Sequence, residues 1–166
     1  QLFGPSPSVE LLLELSKDTN ETVRAKAASL MGLHVSDETT TRLQEMLGDG
    51  DRAVRREACE ALVRAEQSAS WDDLRKMLAS DDRHEAWAAR RLLERMPIDS
   101  WKAEALAAAD HRLAIQGSLA LVLADPTPET AEAALERLGA LIEDFVSDRD
   151  FIDILRVMQV AILRGE

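Results

Sequence analysis

Apolar residues recur along this chain in two interleaved series. Leu12, Leu43, Leu74 and Ala103 lie 31, 31 and 29 residues apart, and Leu15, Met46, Met77 and Leu106 repeat the same intervals three positions later. A second series carries a small residue at Ala27, Ala58, Ala88 and Gly117, at intervals of 31, 30 and 29. Around Ala58 the apolar positions Val54, Leu62 and Ala65 follow helical spacing. A period of this length holds two helices of about 12 residues joined by short turns. The pattern predicts first helices over 8–17, 37–48, 71–79, 100–109 and 128–146, and second helices over 21–34, 52–66, 83–96, 111–124 and 148–164. The expected organisation is a linker at 1–7 and repeats near 8–35, 36–67, 68–97, 98–126 and 127–166.

The small residue has a physical task, because helix axes approach to about 8–10 Å only where the side chain at the contact allows it. The Ala27, Ala58, Ala88 and Gly117 face is therefore expected to be the seam of each second helix, with Leu43, Met46 and Leu47 supplied against it by a first helix. Helix-start signals agree. Ser70-Trp71-Asp72-Asp73 and Ser147-Asp148-Arg149-Asp150 have the form of capping boxes, and Thr127-Pro128 places a cap before a proline at the first helical position. Pro97 and Pro126 mark the ends of second helices.

Asp18-x4-Val23-Arg24-x2-Ala27 and Asp49-x4-Val54-Arg55-x2-Ala58 resemble the signature of HEAT repeats, in the short variant of about 30 residues. The resemblance implies an all-α, right-handed α-α superhelix of about five helix pairs. It also implies that Asp18 and Asp49 lie in the turns between paired helices, while Arg24 and Arg55 join turn acids into a ladder. The signature erodes further along. Asp81 and Asp82 are followed by His84-Glu85, and Asp110 by Leu113-Ala114, so no arginine stands in the ladder position there. The last pair, with a longer first helix, fits a capping role. A second, coarser resemblance links the run from Pro97 through Trp101 to Leu121, and the closing Asp153–Ala161 stretch, to helical segments of large, often exported bacterial proteins. Those proteins join a HEAT array to dehydrogenase-like propellers and haem-binding segments.

Charge narrows the function. The formal net charge is −11, from 31 acidic and 20 basic residues. Phosphate neutralisation needs a concentration of Lys and Arg, so this balance argues against nucleic acid and against an anionic membrane surface. The pairs Arg55-Arg56 and Arg90-Arg91 sit among glutamates and read as solvated helix faces. Gln1 stands in place of an initiating Met, and Glu166 directly follows a helical run, so the sequence reads as a segment of a larger protein.

Candidate chemistry is sparse. His34, His84 and His111 lack the i, i+4 spacing of a helical metal site, and the lone Cys59 permits neither an internal disulfide nor a cysteine-based zinc site. Asp49-Gly50-Asp51 lacks the remaining ligands of a calcium loop and reads as a turn. Cys59 has no histidine in the repeat register to activate it, so no catalytic residue, cofactor or metal is expected. Trp71 and Trp101, 30 residues apart, are expected at equivalent places on successive first helices.

The surface expected to matter is the face of the second helices that lies off the seam. In the second repeat this comprises Arg56, Cys59, Glu60 and Val63. Register places Ala25, Ala28, Ser29 and Gly32 beside it in the first repeat, and Ala86, Ala89, Arg90 and Leu93 in the third. Ile115, Ser118, Leu119 and Val122 follow in the fourth. A small-residue, apolar face suits a docked helix or domain rather than a polyanion. The function expected is a non-enzymatic scaffold that binds a protein or another domain of its own chain. The alternatives are a module serving a haem or pigment enzyme, and a nucleic-acid-binding repeat, which the charge disfavours. Oligomeric state and compartment are left open.

Overall fold

The computed structural model describes residues 7–143 and 145–165, so the expected linker at 1–7 falls, except for Pro7, outside the described residues. The described residues form α-helices and one short 3-10 turn, with no strand. The fold is an all-α solenoid class of paired helices. The chain divides into two compact units, Gln1–Ala69 and Ser70–Glu166. Among the described residues no helix is long and apolar enough to cross a membrane.

The first unit contains α1 (Val9–Leu15), α2 (Glu21–Met31), α3 (Asp37–Met46) and α4 (Arg52–Arg64). Each begins at a side-chain cap. Ser8, Asn20 and Asp51 accept backbone N–H groups of the first turns of α1, α2 and α4, and Ser36 with Thr39 forms a reciprocal capping box on α3. Such a cap contributes about 1 kcal/mol by satisfying donors that the helix cannot pair internally. The core is the predicted one: Leu12, Leu43, Met46, Val54, Ala58 and Leu62 are buried. Helices α2 and α4 lie against each other at Gly32, where a built Cβ would sit 2.9 Å from the Cα of Ala61.

The second unit contains α5 (Trp71–Leu78), α6 (Arg83–Leu93), a 3-10 turn (Ile98–Ser100), α7 (Lys102–Ala107), α8 (His111–Ala124), α9 (Pro128–Ile142) and α10 (Asp148–Arg164). Ser70 with Asp73 and Thr127 with Thr130 form capping boxes, and Pro128 opens α9 as its spacing predicts. Several helices end a few residues earlier than expected, and two departures in this unit change the packing. The helix expected over 128–146 stops at Ile142, and Ser147 starts α10 by accepting the Asp150 N–H. The helix expected over 100–109 is a 3-10 turn followed by six residues of α-helix.

That shortening moves the register. Ala103, expected in the core series, is exposed, and Trp101 and Ala105 are the fully buried residues of this segment. Pro97 restricts the chain to an extended entry, the 3-10 turn then winds more tightly than an α-helix, and the buried face shifts by two residues. Gly117 on α8 meets α7 at Ala105, with a built Cβ only 2.8 Å from the Ala105 Cβ. Beyond it, Ala114, Ile115, Leu138, Leu141, Ile154 and Val157 form a core shared by α8, α9 and α10.

Helix α10 does not have the polar outer face of a cap. Phe151, Leu155, Ile162 and Leu163 are exposed along it, whereas a solenoid cap ordinarily presents a polar outer face. Spacing alone marks 148–164 as amphipathic but leaves open how wide an apolar face the neighbouring helix covers.

The close approach at Gly32 generates a prediction. Gly32→Ala is expected to lower the unfolding free energy by about 1–3 kcal/mol, since the new methyl meets backbone rather than a flexible tip. Gly50→Ala, whose Cβ meets nothing within 4 Å, is expected to be near neutral. Urea unfolding of the two variants checks the contrast.

Candidate protein-docking groove

Two polar constellations stand out, one in each unit. In the first unit Asp18 and Asp49 occupy turns between paired helices, and Arg24 joins them. Its guanidinium donates to both carboxylate oxygens of Asp49 at 2.8 Å and to the backbone carbonyls of Asp18 and Thr19 at 2.9 and 3.1 Å. Asp49 also accepts the Asp51 N–H at 2.8 Å, and Asp18 accepts the Asn20 N–H at 2.8 Å. Arg55 likewise donates to the carbonyls of Asp49 and Gly50 at 2.7 and 3.2 Å. The bidentate bond to Arg24 holds the Asp49 carboxyl below its ordinary range, against the opposing effect of burial. The same bond raises the Arg24 guanidinium.

The second unit holds a groove of about 690 Å³ walled by α6, α8 and α10. Each helix contributes a stripe at i, i+3 or i+4, and i+7, about 10.5 Å long. Arg83, Trp87 and Arg90 come from α6, and Arg112, Ile115, Gln116 and Leu119 from α8. Helix α10 adds Arg149, Ile152, Asp153, Arg156 and Val157. The floor is apolar: Leu119 is half-buried there, and Ile115 and Val157 lie beneath it, 2% and 3% exposed. Trp87 and Ile152 stand on the rims, 49% and 48% exposed.

The groove thus presents five arginines and one carboxylate, within a chain of net charge −11. Several of these arginines are also tied to acids. Arg112 donates to Asp150 at 2.8 Å and approaches Asp153 at 3.8 Å, which Arg156 approaches at 3.4 Å. Arg149 donates to the Asp81 carbonyl at 3.1 Å and lies 3.8 Å from its carboxylate. Arg90 and Arg91 both bond the buried Glu94. Burial lowers the Arg90 guanidinium from its usual range; Glu94 opposes this and the like charge of Arg91 adds to it. Although the fourth repeat has no arginine in the signature position, Arg112 near the start of α8 makes an ion pair by another route.

The expected inner face divides on inspection. Cys59, Ala86 and Leu93 are wholly buried, as are Ala28 and Ala89, so these positions are core and present no surface. The reason is geometric: a second helix packs against its own first helix and against flanking second helices, and the strip expected to be open is the seam. Ala25, Ser29, Arg56, Glu60 and Val63 are half-buried. The Ser29 carbonyl accepts from Arg64 at 2.9 Å, and Arg56 lies 3.3 Å from Glu57 and 3.5 Å from Glu60. Arg90, Ile115 and Leu119 do line the groove. Trp101 is in the core, Trp71 is half-buried, and Trp87 is the exposed tryptophan. The sequence reading missed Arg83, Trp87, Arg149 and Arg156 as one set. The signal was present, since Arg83-Trp87-Arg90 and Arg149-Asp153-Arg156 share a helical spacing.

Paired helices repeating with a small-residue seam define an α-solenoid. The chain belongs to the HEAT-repeat family, whose pattern matches residues 9–94, more than half of its length. HEAT repeats mediate protein–protein interaction and scaffolding, and are typically non-enzymatic. No curated protein matches the chain. Among solved structures it is similar to an engineered protein from the Northeast Structural Genomics Consortium, at 20% identity and a TM-score of 0.49, covering 95% of this chain and 80% of that one.

Two outcomes are expected. Asp49→Asn lowers the thermal unfolding midpoint at neutral pH by a few degrees, because the bidentate pair with Arg24 is lost. The folded-state pKa of Asp49 lies below the ordinary value of 3.8, so its contribution is fully present above that value and is lost as pH falls through the folded value. The difference between wild type and Asp49→Asn therefore closes in acid, as melts across pH will show. Cys59, 0% exposed, is expected to react with a thiol reagent only as fast as the first unit opens, and at full speed in denaturant.

Proposed function

We propose that this chain is a non-enzymatic scaffold segment of a larger protein, and that it holds its partner in the groove of α6, α8 and α10. The partner is another domain of the parent chain or a separate protein. The observation that carries the reading is an apolar floor flanked by a half-exposed tryptophan and a set of arginines. Trp and Arg dominate binding energy at protein interfaces because they combine large contact area with directional hydrogen bonds. The same composition suits binding better than catalysis. Guanidinium groups stay protonated and do not shuttle protons, and the one carboxylate lining the groove, Asp153, is already engaged by two arginines.

A photo-crosslinking residue placed at Gln116, on the groove wall, is expected to capture a discrete protein partner in cells that express the parent protein. The same residue at the exposed Glu132 on α9 is expected to capture none, and Trp87→Ala is expected to abolish the Gln116 adduct. Equal adducts from both positions, or a Gln116 adduct indifferent to Trp87→Ala, would overturn the groove as the docking site.

A further inference from the structure

We propose that the segment seated in this groove is an acidic amphipathic helix of two to three turns, an inference that rests on the groove being the docking site. Its apolar residues lie on Leu119, Trp87 and Ile152, and its carboxylates face Arg83, Arg149 and Arg156.

The length follows from the walls. Each of the three helices offers a stripe of two turns, about 10.5 Å, so the trough accepts an occupant of that order. Its conformation follows from hydrogen bonding. The walls are helices whose backbone groups are already paired, and the floor is apolar. An extended peptide laid there leaves its own N–H and C=O groups without partners, whereas a helix satisfies them internally. An apolar ridge at i, i+3, i+4 and i+7 then meets the floor, and Trp87 and Ile152 close over its flanks.

The sign of the charge follows from the rims. Arg83 and Arg149 are exposed at the starts of α6 and α10, and Arg156 is exposed further along α10. The carboxylates around the groove are Asp81, Glu94, Asp150 and Asp153. Of these, only Asp153 opens onto the groove, and Arg112 and Arg156 share it. Arg83 donates to the neighbouring His84 ring at 3.4 Å and stands exposed at the groove rim. Each guanidinium carries five donors in a fixed fork, so one existing carboxylate leaves capacity for a second. Acidic side chains of the occupant meet that capacity, while a basic helix is repelled. A nucleic acid is a poorer match, since it needs phosphate contacts along its length and meets the long-range repulsion of a chain carrying −11.

The test uses the whole chain and three labelled peptides of about 11 residues, held helical by a side-chain staple, followed by fluorescence anisotropy and by tryptophan emission with Trp87→Phe as the control. The first peptide carries Leu on one helical face and Glu on the flanks. The second replaces Glu by Lys, and the third replaces Leu by Ser. The expected result is saturable binding of the first, weakening as salt rises, with both others at least about tenfold weaker. Arg83→Glu combined with Arg149→Glu is expected to weaken the first peptide by about tenfold and to strengthen the Lys peptide. Both positions are exposed, and an unchanged melting curve verifies the fold.

Equal affinity for the Glu and Lys peptides overturns the proposal, as does full binding of the Leu-free peptide. Displacement of the first peptide by inorganic phosphate or by an oligothymidylate reassigns the groove to a general anion site. Self-association in light scattering that Trp87→Ala abolishes makes a second copy the occupant, and equally overturns it. If the Gln116 crosslink persists while the acidic peptide fails, the groove stands and only the partner chemistry falls.

Discussion

The fold depends on how closely one helix can approach the next. At Gly32 the α2 backbone lies against Ala61 of α4, and at Gly117 the α8 backbone lies against Ala105 of α7; a methyl group at either glycine would sit under 3 Å from its neighbour. Larger side chains at these points would push the axes apart, because packed interiors leave no room for an added methylene. Close packing also sets what the polar groups can reach. With α2 on α4, the turn before one lies beside the turn before the other, and Arg24 spans them with a bidentate bond to Asp49.

The same constraint hides the surface that the repeat pattern most invites one to call open. Cys59 and Ala86 on second helices are small and covered, and the larger Leu93 is buried with them. The available surface lies instead where long side chains stand away from the seam, at Arg83, Trp87, Arg149 and Ile152. Net charge conceals it as well. A total of −11 says nothing of the concentration of five arginines on one groove, with several acids turned away from it to hold those arginines in place. Recognition is local, and a chain average is a statement about solubility and long-range steering.

Helix α10 carries the second departure from the repeat pattern. One of its faces closes the core through Ile154, Val157 and Ala161, another lines the groove through Ile152 and Arg156, and a third exposes Phe151, Leu155 and Ile162. A helix with three uses carries apolar residues beyond its core face, and spacing alone does not say which of them a neighbour covers. Hence the spacing of 148–164 identified a helix but not which of its apolar residues stay exposed.

The sequence by itself determined the class of the fold and most of its elements. Intervals near 31 between Leu12, Leu43 and Leu74, a small residue late in each period, and caps at Ser70 and Thr127 are local features, and local propensity and periodicity act over a single helix or turn. The Asp/Val-Arg signature likewise placed Asp18 and Asp49 in the turns and Arg24 and Arg55 in the helices that follow, since its spacing lies within one helix pair. Tertiary structure alone decided the rest. The 3-10 turn after Pro97 exchanged Ala103 for Trp101 and Ala105 in the core, and the covering of second helices turned an expected surface into a seam. Packing of α6, α8 and α10 then assembled arginines from 83, 112 and 149 into one groove. Those outcomes depend on which helix lies over which face, and such contacts link residues tens of positions apart, beyond the reach of a repeat period.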